Sequence, residues 1–169
     1  MRKIILSVFL ISLFTSCATT LKITDQMVQP IIDAQLAEIE ESIETGAPMA
    51  IWWCDDERFP KEPGEKEHIT TISYWIQGYI EEKFVRLNKY DVVSRTQLDK
   101  IFREQEFQYS GHVDEQTMVS ICKIFGAKYM IVPRITQIET FNIQVLNSET
   151  GKIIYTSNTA FKENQRIGK

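Results

Sequence analysis

Apolar residues follow several different rhythms along this chain, and each predicts a different element. Ile4 to Phe14 is an almost unbroken apolar run behind the positive start Met1-Arg2-Lys3. Its length suits a secretory h-region and falls short of the ~20 residues of a spanning helix. Further on, Pro30 at a first-turn position is followed by Ile32, Leu36, Ile39 and Ile43 at three- and four-residue spacing, with Gly46 and Pro48 as a stop. That pattern predicts an amphipathic helix. Met49-Ala50-Ile51-Trp52-Trp53-Cys54 is apolar throughout and too short for a helix, so it predicts a central strand buried on both faces. Asp55 to Glu67, with two prolines and a run of charges, reads as a loop over the end of that strand. Helical spacing returns at Ile69, Ile72, Ile76, Ile80, Phe84 and Leu87, flanked by Trp75 and Tyr79 and bounded by Asn88, in what should be the longest helix.

Asp91-Val92-Val93-Ser94 is strand-like, and Thr96 is placed to cap a helix whose Leu98, Ile101 and Phe102 share a face. Phe107 to Val113 breaks the pattern and reads as a loop. Asp114 then caps a helix with Met118, Ile121, Cys122 and Phe125 as its buried stripe, stopped by Gly126. From Lys128 to Glu139 the run Tyr129-Met130-Ile131-Val132 opens a strand that continues through Ile135 and Ile138. Phe141, Ile143 and Val145 alternate, Asn147 to Gly151 forms a turn, and Ile153 to Phe161 is the hairpin partner. Strands joined through helices must pair in parallel, so the order predicts an α/β fold: a single domain with a mixed β-sheet, helices packed on it and a C-terminal β-hairpin.

The first apolar run ends in Leu13-Phe14-Thr15-Ser16-Cys17, small residues standing just before a cysteine as in a lipobox. Residues 1–16 are therefore expected to be a lipoprotein signal peptide, with Cys17 as the lipidated N-terminus of the mature protein. Phe14 replaces the usual Leu, which leaves open an ordinary signal peptide or an uncleaved anchor. Residues 17–28 read as a lipid-anchored tether and 29–165 as the α/β domain. A triacylated cysteine would hold a soluble body on a bilayer essentially permanently, since each buried methylene contributes about 0.8 kcal/mol.

The 169 residues allow one ordinary domain, and 43% apolar with 25% charged residues is a globular composition. A formal net charge of −4 and the lack of basic stretches interleaved with aromatics argue against nucleic acid. The two histidines, His68 and His112, have no Ser or Cys nucleophile motif beside them, so no catalytic residue is expected and the chain reads as a non-enzyme. Cys54-Asp55-Asp56-Glu57 with His68 lacks the recurring ligand spacing of a metal site and reads as a solvated loop; no metal and no cofactor are expected. Single glycines at turns cradle no phosphate. Cys54 and Cys122 each lie in an apolar stretch, which favours two buried thiols over a bridge. The acidic face formed by Asp33, Glu38, Glu40, Glu41 and Glu44 reads as solvated, with a basic partner's docking surface as the alternative.

Five blocks carry a family pattern: Tyr90-Asp91-Val92-Val93-Ser94-Arg95; Leu98-Asp99-Lys100-Ile101; Glu104-Gln105; Ser110-Gly111-His112-Val113-Asp114; and Gly126-Ala127-Lys128-Tyr129-Met130-Ile131-Val132. In order and spacing they resemble the shared domain of the CsgG/LpoB superfamily, whose fold is similar to the N-terminal domain of TolB. Pro133 departs from the small glycine common there and suggests an edge, a bulge or a strand end. The resemblance implies an α/β domain on a lipid anchor in the cell outer membrane, facing the periplasm and working through protein contacts. On that basis the expected role is a periplasmic adaptor or regulator of an envelope protein partner, such as a penicillin-binding protein in peptidoglycan synthesis. The alternative is a homo-oligomeric component of an outer-membrane secretion or curli-like assembly complex. Candidate partner-binding residues are Trp75, Phe107, Tyr109 and His112, since interface energy concentrates in such side chains.

Overall fold

The computed structural model describes residues 23–59, 70–93 and 115–161. Within them lie the helices α1 (Asp25–Ser42), α2 (Thr71–Leu87) and α3 (Glu115–Phe125) and the strands β1 (Pro48–Ile51), β2 (Asp55–Asp56), β3 (Asp91–Val92), β4 (Tyr129–Ile135), β5 (Thr140–Asn147) and β6 (Lys152–Ala160). One sheet holds all six strands in the order β3-β1-β4-β5-β6, with β2 beside the far end of β4. β1 runs parallel to β3 and to β4, as strands joined by crossovers must, and β4, β5 and β6 form an antiparallel meander. This is the expected mixed sheet with a C-terminal hairpin.

Period-two alternation sends each central strand's side chains into two separate cores. Met49 and Ile51 of β1, Tyr129, Ile131 and Ile135 of β4, and Phe141, Ile143 and Val145 of β5 pack beneath α1 and α2. Ala50, Met130, Val132 and Leu146, with Trp52, point the other way and are covered by Ile121 and Cys122 of α3. Ile76, Ile80 and Phe84, one stripe of α2, are each fully buried, and burial of such a side chain contributes about 1.5–3 kcal/mol. Cys54 belongs to the first core and Cys122 to the second; both are free thiols with the sheet between them.

The helix ends follow the sequence closely in α2. The Thr70 hydroxyl accepts the Ser73 N–H at 3.2 Å, and Asn88 closes the helix in the left-handed conformation, its N–H donating to the Val85 carbonyl. Asn147 builds the β5–β6 turn, its side-chain oxygen accepting the N–H groups of Glu149 and Thr150, and Gly151 supplies the positive φ of +66°.

Several expectations are corrected. α1 begins at Asp25, so Pro30 is inside the helix and not in its first turn. Ile23 and Val28 are buried in the first core, so residues 23–28 pack with the domain and do not belong to the tether. Pro30 offers no N–H to the carbonyl of Gln26, a local cost that the burial of these side chains offsets. At 18 residues α1 is longer than α2 at 17, so the second helix is not the longest. Asp55 and Asp56, expected in a loop, add a short parallel strand against Arg134 and Ile135. β4 stops at Ile135, and Ile138, expected to continue the strand, lies 76% exposed at the tip of the β4–β5 hairpin.

Pro133 is tolerated in a central strand for a geometric reason. The carbonyls of Ile131 and Ile135 accept the N–H groups of Trp52 and Glu57, so odd positions of β4 face β1 and β2. The N–H that proline lacks would point at residues 52–54, where the neighbouring strand is interrupted between β1 and β2, so no ladder bond is lost. The helix expected after Thr96 and the loop from Phe107 to Val113 lie outside the described residues.

Candidate interaction surface

β6 is the outer strand of the sheet, and among the described residues no strand pairs with its far side. Monomeric proteins guard such edges with lysine, proline or charge. From Ile153 to Ala160 this strand carries no charged residue and no proline. Its backbone is a ladder of donors and acceptors eight residues long, open to another extended chain.

Above that edge lies α1, running antiparallel to β6. Gln35 Nε2 donates to Thr159 Oγ1 at 3.0 Å, and Tyr155 Oη donates to Glu38 Oε2 at 2.9 Å, so the helix is pinned to the strand at two points. Burial, and then the bond to Glu38, push the Tyr155 phenol up to about 12, which keeps it a donor at physiological pH. From these pins toward the start of the helix, a groove of about 340 Å³ is lined by Met27, Pro30, Ile31 and Ala34 of the helix and by Ser157, Thr159 and Ala160 of the strand, with Gln35 and Glu38 in its wall. Gln35 is 4% exposed, and its Oε1 has no hydrogen-bond partner. A buried acceptor of this kind favours a donor brought in from outside. The groove can thus take an apolar side chain and the edge an extended backbone.

The acidic residues of α1, with Glu44 just beyond it, are not simply solvated. Asp33 accepts from Lys83 at 2.8 Å and from the Tyr79 hydroxyl, Glu40 from Lys89 at 2.9 Å, and Glu44 from Lys128 at 2.6 Å. These exposed pairs contribute little energy each but leave little free negative charge for a basic partner.

The carboxylates after β1 serve structure. Asp56 is 1% exposed; Arg58 reaches it through Nε at 2.8 Å and Nη2 at 2.7 Å, and Thr70 Oγ1 donates to it at 2.9 Å. Glu57 faces Arg134 at 3.3 Å. The Cys54 thiol is pushed well above its usual range, first by burial and then by the charges of Asp56 and Asp55. Among the described residues no three His, Cys, Asp or Glu side chains gather as metal ligands.

Of the residues singled out in the sequence, Trp75 is half-buried against the first core and stacks on Tyr79 with ring centroids 4.9 Å apart. It lies on α2, away from the β6 edge. Cys17, Phe107, Tyr109, His112 and His68 lie outside the described residues. Gln35 and the β6 edge escaped the sequence reading, and Glu38 was read there only as part of the acidic face. One signal was present, because Gln35 interrupts the stripe Val28, Ile32, Leu36, Ile39 as a polar residue at a core position.

Residues 70–142 match the family model described as curli production assembly/transport component CsgG. Three solved structures share the fold. The LpoB C-terminal domain from Escherichia coli superimposes with a TM-score of 0.60 at 14% identity, covering 83% of this chain and 100% of that one. The LpoB C-terminal domain from Salmonella enterica gives 0.59 at 12% identity, covering 77% and 94%. An NMR structure of Escherichia coli LpoB gives 0.57 at 13% identity, covering 75% and 63%. No curated protein sequence matches. The resemblance read from the five sequence blocks therefore holds at the level of the fold.

Proposed function

We propose that this CsgG/LpoB-like chain is an envelope lipoprotein, acylated at Cys17, whose domain acts without chemistry of its own by docking on a protein partner at the periplasmic face of the outer membrane. The partner class is a peptidoglycan synthase, a penicillin-binding protein whose activity the contact would raise. One observation carries the reading: the outer strand of the sheet is uncharged from Ile153 to Ala160 and stands beside a groove with an unpaired buried acceptor. The fold it shares with LpoB supports the partner class, and the small residues before Cys17 support the anchor.

A photo-activated crosslinker at Thr156, an exposed position in mid-strand, tests this in intact cells. Adducts with a penicillin-binding protein, lost in a Ser157→Lys variant with the same crosslinker, are the expected result. The self-pairing potential of an uncharged edge favours the second reading, a homo-oligomeric assembly subunit. Adducts with its own copies alone would replace the adaptor by that reading. The anchor has its own assay: labelled palmitate should be incorporated and lost on Cys17→Ala, and an unlabelled native protein overturns it.

A further inference from the structure

The described chain enters the domain at one end of the sheet, and that end carries the most exposed large apolar side chain among the described residues. α1 runs antiparallel to β6, so its first turns, with Met27 and Pro30, lie beside Thr159 and Ala160 at the strand's close. Phe161 N–H then donates to the Glu139 carbonyl in the β4–β5 hairpin tip, and Ile23, Phe161 and Ile135 share one core cluster. Phe59 stands at the same end, just beyond the bond from Glu57 N–H to the Ile135 carbonyl, and is exposed. The tip itself is braced. Thr136 N–H donates to the Thr140 carbonyl, Glu139 N–H donates to the Thr136 carbonyl, and the two threonine hydroxyls share a 2.7 Å bond. Ile138 is held outward on this frame at 76% exposure.

We infer that this end rests on the lipid bilayer, with Ile138 dipping into the headgroup region as a second membrane contact that fixes the orientation of the domain. The inference rests on the acylation of Cys17 proposed above. The six residues from Cys17 to Lys22 can span at most about 20 Å. β6 alone spans about 30 Å. A leash shorter than the domain keeps the entering end near the surface, and transfer of an exposed isoleucine from water to the interface is favourable. Too weak to bind a membrane by itself, the contact selects one orientation once the acyl chains hold the protein there. The β6 edge then stands upright from the bilayer.

The mature lipoprotein carrying Ile138→Cys, labelled with an environment-sensitive dye, tests this in phosphatidylethanolamine–phosphatidylglycerol vesicles. Cys54 and Cys122 are buried and do not compete for the label. The dye at Ile138→Cys should emit to the blue and be quenched several-fold by nitroxide-bearing lipids. The same dye at Val85→Cys, near the end of α2 remote from the tip, should stay in water. Equal emission and equal quenching at the two positions, in a protein whose N-terminal peptide carries acyl chains by mass, overturns the seating and leaves the anchor intact. An N-terminal peptide without acyl chains overturns the anchor and the seating with it.

Discussion

Gln35 on α1 reaches across 124 residues of sequence to give its side-chain amide to the Thr159 hydroxyl on β6, 3.0 Å away. The bond ties α1 to β6 and leaves the Gln35 carbonyl oxygen unpaired. Thr159→Val should therefore strip a buried amide of its one partner and lower stability by about 1–3 kcal/mol. Gln35→Leu should cost less than that, because it removes the orphaned acceptor as well. Urea unfolding of both variants checks the order, and a larger loss for Gln35→Leu would mean that the amide has further partners.

Asp56 and Arg58 form an ion pair whose side chains are 0% and 6% exposed. Removing one member leaves the other charged and buried. Asp56→Ala should cost about 3–5 kcal/mol in urea unfolding, while the double change Asp56→Leu with Arg58→Met should cost clearly less. A double variant as unstable as the single one would show that the Thr70 bond to Asp56, and not the ion pair, fixes this corner.

Gly78 sits inside α2, exposed, and a Cβ built there meets nothing within 4 Å. Its φ is not in the left-handed region. Gly78→Ala should raise stability by about 0.5–1 kcal/mol through the unfolded chain's lost freedom, measurable as a rise in the midpoint at unchanged urea dependence.

Alkaline pH should weaken the fold. Burial raises the Cys122 thiol from 9.0 to about 12 and the Tyr155 phenol from 10.0 to about 12, and Cys54 moves the same way. In each case the unfolded group loses its proton first. Stability from these groups is complete below their unfolded pKa values and is lost as pH climbs from about 9 toward 12. Lys83, Lys89 and Lys128, raised by hydrogen bonds to Asp33, Glu40 and Glu44, act in the same direction above their ordinary 10.5. Denaturation at neutral pH and near pH 11 should show the fall, and Cys122→Ala should make it shallower. A pH-independent stability across that range would contradict the burial of both thiols.

Local pattern was enough for most of the elements. The two-sided apolar run at Met49, the stripe Ile76, Ile80, Phe84 and the alternation Phe141, Ile143, Val145 each state which face of one element avoids water, and that is a property of neighbouring residues. What covers a given face is not local. The same cysteine pattern suits either core, and only strand order placed Cys54 and Cys122 on opposite sides of the sheet. Pro133 reads as a strand breaker until the gap between β1 and β2 is set beside it. Ile138 reads as a strand residue until the hairpin closes at Thr136, and Pro30 as a helix start until the burial of Ile23 and Val28 extends the helix behind it. Which strand is left at the edge, and which end of the sheet lies beside the start of α1, follows from long-range pairing, because hydrogen-bond partners and burial are shared between segments that the chain itself keeps far apart.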